Sequence, residues 1–113
     1  MWQILQTEEF GEWLLTLNET SNEDIYANVT ILSVHGPSLG RPRVDTIKNS
    51  NFKNMKELRV QSSGNPYRIF FAFDPERKAI LLIGGNKKGD KRFYEKYIPI
   101  ADKLFEKYLE DMS

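Results

Sequence analysis

The sequence predicts a single α+β domain in which an N-terminal strand and a helical hairpin pack on an antiparallel β-meander, followed by a C-terminal helix. Three observations lead to this prediction. Apolar residues recur with helical spacing before residue 36 and after residue 90, short strand-like segments lie between residues 55 and 83, and turn residues separate those segments. A chain of 113 residues suits one domain spanning residues 1–113, because two domains of this total length would each bury too little apolar surface.

A strand and a first helix are predicted at the start of the chain. Residues 1–6 alternate in hydrophobicity as a strand does. Thr7 fits the N-cap of the helix, because Glu8 and Glu9 then fall in its first turn, where negative charge is favourable. The helix carries one apolar stripe, formed by Phe10, Trp13, Leu14 and Leu17.

A second helix is expected to begin after Ser21, since Ser21 and Asp24 form an imperfect capping box. It ends before Gly36 and Pro37, and its apolar stripe consists of Ile25, Val29 and Leu32. The following segment, residues 36–54, has the composition of a loop. Its length is unusual for a compact domain and indicates either a functional role or a short hidden element.

The second half of the chain is predicted to form the meander and the last helix. Turns separate three strands, Met55–Gln61, Tyr67–Phe73 and Ala79–Ile83. The continuous apolar run of the third strand predicts a central position that is covered on both faces. Asp90 fits the N-cap of the final helix, and Pro99 predicts a kink or a restart within it. Its apolar surface is formed by Phe93, Tyr97, Leu104 and Tyr108.

Charge is distributed unevenly, although the formal net charge is zero. The first 40 residues contain six acidic and no basic residues, and all 16 basic residues lie between Arg41 and Lys107. A basic region of this kind attracts polyanions, of which nucleic acid is the most common. Alternatively, the acidic and basic segments complement each other within the fold, and composition does not decide between these interpretations.

Several classes of protein are disfavoured by what the sequence lacks. Without cysteine there is no disulfide framework or thiolate metal site, and His35 is the only histidine, so a histidine metal cluster is also disfavoured. No apolar run approaches the length of a membrane helix, and the first residues do not follow the pattern of a signal peptide. We therefore expect a cytoplasmic protein with no membrane partner.

Strand alternation brings three charged side chains to one face of the meander, namely Glu57, Arg59 and Arg68. Arg68 is the only charged residue of Tyr67–Phe73, and a charge in such an apolar strand requires a partner or a ligand. The residues alone favour a structural ion pair of Glu57 with Arg59 or Arg68. Lys87 and Lys88 follow the third strand among glycines, without the P-loop pattern, and form either a phosphate-binding turn or a solvated one.

Together these segments resemble the HigB-like, phage-derived branch of the RelE/ParE toxin superfamily. The resemblance is carried by residues 55–60, by Tyr67–Asp74, by Ile83–Gly89, by the preceding residues 39–42 and by the closing helix around Tyr97–Ala101. It covers nearly the whole chain and implies the RelE-like fold, in agreement with the predicted order of elements, with a C-terminal helix kinked at Pro99.

The resemblance implies a toxin of a type II toxin–antitoxin system that acts as a ribosome-dependent mRNA endonuclease. In such an enzyme a ribose 2′-hydroxyl attacks the next phosphate, without a metal or another cofactor. The expected partners are the ribosome, mRNA and an antitoxin with a helix-turn-helix domain. The implied catalytic residues are Glu57, as the general base, with Arg59, Arg68, Lys88 and Tyr94. The expected RNA-binding residues are Lys56, Lys87, Arg41, Arg43, Lys91 and Arg92.

Two alternatives remain at this point. ParE-type members share the fold and inhibit DNA gyrase without cleaving RNA, and an inactive relative would bind RNA without toxicity. The chain also departs from relatives that use histidines in the site, because His35 is remote in sequence from these motifs.

Overall fold

The computed structural model describes residues 1–113. Its elements, in chain order, are β1 (Gln3–Gln6), α1 (Glu8–Leu14), α2 (Glu19–His35), a short 3-10 turn (Gly36–Ser38), β2 (Val44–Thr46), β3 (Lys56–Ser62), β4 (Asn65–Phe73), β5 (Lys78–Asn86) and α3 (Phe93–Met112). The predicted order is confirmed, and the hidden element that the length of residues 36–54 indicated is the three-residue strand β2. Each helix is too short or too polar to span a bilayer.

The five strands form one sheet in the order β1-β5-β4-β3-β2. The predicted meander is confirmed, since β3, β4 and β5 pair antiparallel in sequence. β1 pairs parallel with β5, and β2 pairs antiparallel with β3. β5 therefore lies between β1 and β4 with both faces covered, which explains the continuous apolar run in its sequence.

The sheet separates two apolar cores. One core lies under α1 and α2, where Phe10, Ile25 and Leu32 pack against the inward residues of β3, β4 and β5. The other lies under α3, where Phe93, Ala101 and Phe105 pack against the opposite face of the same strands. The strands alternate accordingly: in β4, Ile69 and Phe71 belong to the first core, and Phe70 and Ala72 belong to the second.

Three predicted details of the helix ends are corrected by the structure. α2 begins earlier than expected, because Asn18 caps it by accepting a hydrogen bond from the backbone N–H of Ser21 at 2.7 Å. Ser21 is instead buried inside the helix. α3 has no side-chain cap, and Asp90 accepts from the backbone N–H of Arg92 in the preceding turn. α3 runs through Pro99 as one helix, so the predicted restart is wrong, and the kink stays a prediction.

Side-chain hydrogen bonds tie α3 to two loops at one end of the sheet. The buried carboxylate of Asp102 accepts from Ser50 Oγ at 2.5 Å and from the backbone N–H of Asn51 at 2.9 Å. Further along the helix, Tyr108 donates its hydroxyl to Asp74 at 2.7 Å. The first turn of α3 lies over β3 and β4, where Tyr94 contacts Glu57 and Phe93 stacks on Phe70.

Two successive glycines let helices approach both faces of β5. A Cβ atom on Gly84 would lie 2.2 Å from the ring of Trp13 in α1, and one on Gly85 would lie 2.7 Å from the ring of Tyr97 in α3. Such distances are far below a van der Waals contact, so neither position accepts a side chain without movement of the neighbouring ring.

We predict that Gly84→Ala lowers the free energy of unfolding by about 1–3 kcal/mol, because the methyl group overpacks the contact with Trp13. Gly40→Ala is the matched control, since nothing lies within 4 Å of a Cβ at that position. Urea unfolding of both variants measures the difference. Equal stability of the two variants would contradict the proposed close packing of α1 on β5.

Candidate active site

The candidate site is built around the carboxylate of Glu57, which is 3% exposed. Arg59 and Arg68 lie directly opposite each other in the register of β3 and β4, where two like charges repel. Glu57 precedes Arg59 by two residues on the same face and supplies the counter-charge to both arginines. The ion pairs that the residues favoured are therefore both present.

The three contacts of Glu57 differ in geometry. Tyr94, in the first turn of α3, donates its hydroxyl to Glu57 Oε1 at 2.7 Å. Arg59 donates Nε–H to Oε2 at 3.1 Å. Arg68 Nε lies 3.7 Å from Oε1, which is an ion pair without a hydrogen bond.

Arg68 is incompletely satisfied by the protein. Its Nη1 donates to the backbone carbonyl of Tyr67 at 3.1 Å. Its Nε is buried and has no hydrogen-bond partner. An unpaired buried donor is costly, and an arginine with a purely structural role would be expected to avoid that cost. The protein therefore leaves part of the hydrogen-bonding capacity of Arg68 unused beside the carboxylate of Glu57.

Asp45 is a member of the site that the sequence analysis did not identify. It lies opposite Glu57 in the β2–β3 register and accepts a hydrogen bond from Arg59 Nη2 at 3.2 Å. Arg41 Nε lies 3.6 Å from the same carboxylate oxygen. The connected cluster thus contains three guanidinium groups and two carboxylates, which leaves it with excess positive charge.

A cavity of about 300 Å³ opens beside this cluster, between the end of β2 and the start of α3. Glu57, Arg59 and Tyr94 form one wall. The segment after β2 forms the other and adds Lys48 and Asn49, which the sequence analysis also did not include among the site residues. The complete lining is Asp45, Thr46, Ile47, Lys48, Asn49, Glu57, Arg59, Tyr94 and Ile98.

The hydroxyl of Tyr94 is held in its neutral form. Burial raises its pKa above the ordinary value of 10.0, and the hydrogen bond to Glu57 and the negative charge of that carboxylate raise the pKa further. Arg68 opposes these effects but does not outweigh them. Near neutral pH the Tyr94 hydroxyl is therefore a proton donor and not a base.

The predicted basic residues lie at different distances from the cluster. Arg41 belongs to the cluster itself, and Lys87 lies beside it, with its ammonium group 5.4 Å from the centroid of the Tyr94 ring. Lys88 lies in the next, exposed turn, and its side chain has no contact with the cluster. Its predicted catalytic role stays a prediction. Lys91 and Arg92 are exposed just before α3.

Two further predicted RNA-binding residues form hydrogen bonds outside the cluster. Lys56 alternates with Glu57 along β3 and therefore points to the other face of the sheet, where its ammonium donates to Thr46 Oγ1 at 3.3 Å. Arg43 donates Nη1–H to Asn28 of α2 at 2.8 Å. No group of three or more His, Cys, Asp or Glu side chains is arranged to hold a metal ion.

The chain is similar to known proteins in sequence. Residues 12–106 match the family described as phage derived protein, Gp49-like. The chain is 48% identical over 107 residues to HigB3, a candidate toxin of Mycobacterium tuberculosis, with coverage of 94% of this chain and 92% of the relative. It is 44% identical over 104 residues to the candidate toxin HigB2 of the same organism. That match covers 90% of this chain and 52% of HigB2, so the chain spans about half the length of that relative.

The fold of the chain is similar to that of solved structures, although the sequence identities are low. The crystal structure of the isolated RelE toxin of E. coli aligns with a TM-score of 0.63 at 14% identity, covering 88% of this chain and 99% of RelE. A chain of the archaeal RelE–RelB complex from Pyrococcus horikoshii aligns with a TM-score of 0.55 at 15% identity, covering 78% of this chain and 97% of that chain. The predicted RelE-like fold is confirmed.

We predict that Tyr94 titrates above its ordinary pKa and that Glu57→Gln lowers this pKa, because the substitution removes the negative charge beside the hydroxyl. The stabilisation that this hydroxyl contributes is complete below about pH 10 and is lost as the pH rises through the folded-state value. Alkaline titration followed by NMR of ring-labelled tyrosine measures the pKa.

Tyr108 is the internal control for this titration. Burial and its hydrogen bond to Asp74 raise its pKa to about 12. Glu57 is not among the groups that shift this pKa. The pKa of Tyr108 should therefore stay unchanged in Glu57→Gln. A Tyr94 resonance with the same titration in both proteins would contradict the hydrogen bond to Glu57.

Proposed function

The chain belongs to the phage-derived Gp49-like family, and from this premise we propose that it is the toxin of a type II toxin–antitoxin system and cleaves mRNA on the ribosome. Its high identity to the candidate toxin HigB3 over nearly the whole length of both chains supports the family assignment. The observation that carries the proposed activity is the unsatisfied Arg68 beside a buried carboxylate, within a cluster of excess positive charge. That arrangement suits a phosphodiester substrate.

The arginines are proposed to bind the scissile phosphate. Arg68 has a buried Nε without an acceptor, and Arg59 is held between Glu57 and Asp45. A guanidinium group contacts two phosphate oxygens at once, and its charge opposes the negative charge that develops on the phosphorane. The two arginines lie opposite each other on rigid strands, so they require little reorganisation during the reaction.

Glu57 is proposed to be the general base that takes the proton of the attacking 2′-hydroxyl. In the free protein its oxygens accept hydrogen bonds from Tyr94 and Arg59. A bound phosphate competes with the carboxylate for the guanidinium groups, and this competition frees a lone pair on Glu57 for the hydroxyl. The substrate thus activates the base that it needs.

Tyr94 is proposed to protonate the leaving 5′-oxygen. Its raised pKa keeps the hydroxyl protonated near neutral pH, and it lines the same cavity as Glu57. A phosphate that enters between the two side chains has the base on the side of the attacking oxygen and the acid on the side of the leaving oxygen. Lys87 lies against the same ring and adds positive charge where the leaving group departs. Lys88 is proposed to assist from the adjacent turn.

Basic residues near the cavity are proposed to contact the RNA backbone without reading its sequence. They comprise Lys87, Lys91 and Arg92 near α3 and Arg41 near β2. Lys56 faces the other side of the sheet and Arg43 is held by Asn28, so a contact of either residue with the RNA would require it to leave its present partner. The ribosome supplies the positioning that a shallow, partly exposed site lacks, because it holds the ribose and phosphate in line. The antitoxin is the second proposed partner.

We predict that expression of the chain in bacteria stops growth and produces transcripts with cyclic-phosphate or 3′-phosphate ends. Arg68→Ala should lower the cleavage rate by about 100-fold or more, because it removes stabilisation of the phosphorane. Sequencing of RNA ends after induction measures both effects.

The controls for this experiment separate catalysis from folding. Arg68→Lys keeps the charge but loses the two-point phosphate contact, so it should cleave far more slowly than the wild type. Circular dichroism should show that Arg68→Ala is folded at the assay temperature, with an unfolding midpoint lowered because Glu57 loses one ion-pair partner. A folded Arg68→Ala protein that remains fully toxic would refute the role of Arg68, and growth arrest with DNA damage and intact transcripts would indicate gyrase inhibition instead.

We predict that replacing both Lys87 and Lys88 with Ala weakens binding to RNA or ribosomes at every sequence and reduces the salt dependence of binding, because fewer counterions are released. Lys78→Ala is the control, since Lys78 is the first residue of β5, at the end of the strand opposite Lys87, and pairs with Glu76 at 2.9 Å. Titrations at two salt concentrations measure the slopes. If the salt dependence of binding changes in Lys78→Ala and not in the double variant, the binding surface lies at the other end of the sheet.

A further inference from the structure

A second concave surface lies on the face of the sheet opposite the candidate site. The strand β1 and the helices α1 and α2 form three sides of an open groove of about 640 Å³. We name it the hairpin groove. Its lining is mostly apolar and includes Ile4, Phe10, Leu14, Ile25, Val29 and Leu81. Phe10, Ile25 and Leu81 form its buried floor, and Ile4, Leu14 and Val29 are partly exposed. A concave, mostly apolar surface of this volume is typical of a binding site for another molecule.

The rim of the hairpin groove is acidic. Glu19 and Glu23 line it and are both exposed, and Tyr26 stands at its edge with 75% of its surface accessible. Neither Glu19 nor Glu23 forms an ion pair, and no lysine or arginine lines the groove. The groove therefore combines an apolar floor with a negative potential.

This combination excludes several occupants. RNA and anionic membrane surfaces are repelled by the carboxylates. A second copy of this chain would have to present its basic part, but Ile100 is the only large hydrophobic residue exposed between residues 41 and 107. One apolar side chain does not fill a groove of about 640 Å³, so self-association through this surface is disfavoured.

We propose that the hairpin groove binds a segment of the antitoxin in which apolar side chains alternate with lysine or arginine. The identity of this partner rests on the proposed function, whereas the chemistry of the segment follows from the groove itself. Apolar side chains of the segment occupy the floor, and its basic groups pair with Glu19 and Glu23. The antitoxin thereby gains a contact on the toxin that leaves the cavity beside Glu57 accessible.

The test uses the purified full-length chain and two synthetic amphipathic peptides, one of leucine and lysine and one of leucine and glutamate. The leucine–lysine peptide should bind and shift the backbone NMR signals of Ile4, Leu14 and Tyr26, and the leucine–glutamate peptide should not bind. Glu23→Lys should weaken binding by about tenfold or more, because a favourable charge pair becomes a repulsive one. Tyr26→Ala should also weaken it.

Glu12→Lys is the matched control, because Glu12 is an exposed residue of the same acidic segment and does not line the groove. It should change peptide affinity by less than about twofold, since it removes no contact. Equal losses in Glu12→Lys and Glu23→Lys, NMR shifts confined to α3 or to the basic turns, or a dimer that Glu23→Lys dissociates would each overturn the inference.

An in vivo experiment separates this inference from the proposed function. With the product of the reading frame next to the toxin gene as the probe, neutralisation of growth arrest should fail for Glu23→Lys and persist for Glu12→Lys. Neutralisation of both variants alike would overturn the assignment of the antitoxin to the groove. Peptide binding at the groove in a chain that neither arrests growth nor cleaves RNA would refute the proposed function while leaving the chemistry of the groove intact.

Discussion

The carboxylate of Glu57 has almost no access to water, and the architecture around it is arranged to satisfy its charge. β3 carries it, β4 supplies Arg68, α3 supplies Tyr94, and β2 contributes Asp45, which holds Arg59 from the other side. A buried charge is tolerated only when it is paired and hydrogen-bonded. The Glu57 carboxylate is therefore stabilised by three features together: the position of α3, the short strand β2 and the register of the meander.

The sheet keeps two kinds of surface apart. On the α3 face, basic side chains and a polar cavity surround Glu57, and on the other face the acidic helical hairpin leaves an apolar groove. The zero net charge of the chain thus conceals two opposite potentials, each suited to a different partner. An anionic substrate and a cationic protein segment can be attracted at the same time without competing for one site.

The fold was largely predictable because its elements follow simple periodicities. The stripe of Ile25, Val29 and Leu32 and the alternation around Arg68 are local patterns, and the structure confirms both. The N-cap of α2 was predicted wrongly because Asn18 and Ser21 are both good capping residues, and only the packing of the buried Ser21 decides between them. Asp45 was missed because its role depends on pairing with Glu57 through a three-residue strand that is too short to carry a pattern.

The parallel pairing of β1 with β5 joins the first strand of the chain to the last one. During synthesis β1 has no partner strand until β5 has left the ribosomal tunnel. Until then the apolar stripes of α1 and α2 also lack most of the sheet surface on which they pack. α3, which supplies Tyr94, emerges later still. Contacts between such distant segments also form slowly. The order of synthesis consequently gives the nascent chain a built-in delay, because the cluster around Glu57 is not complete until the last helix has been made.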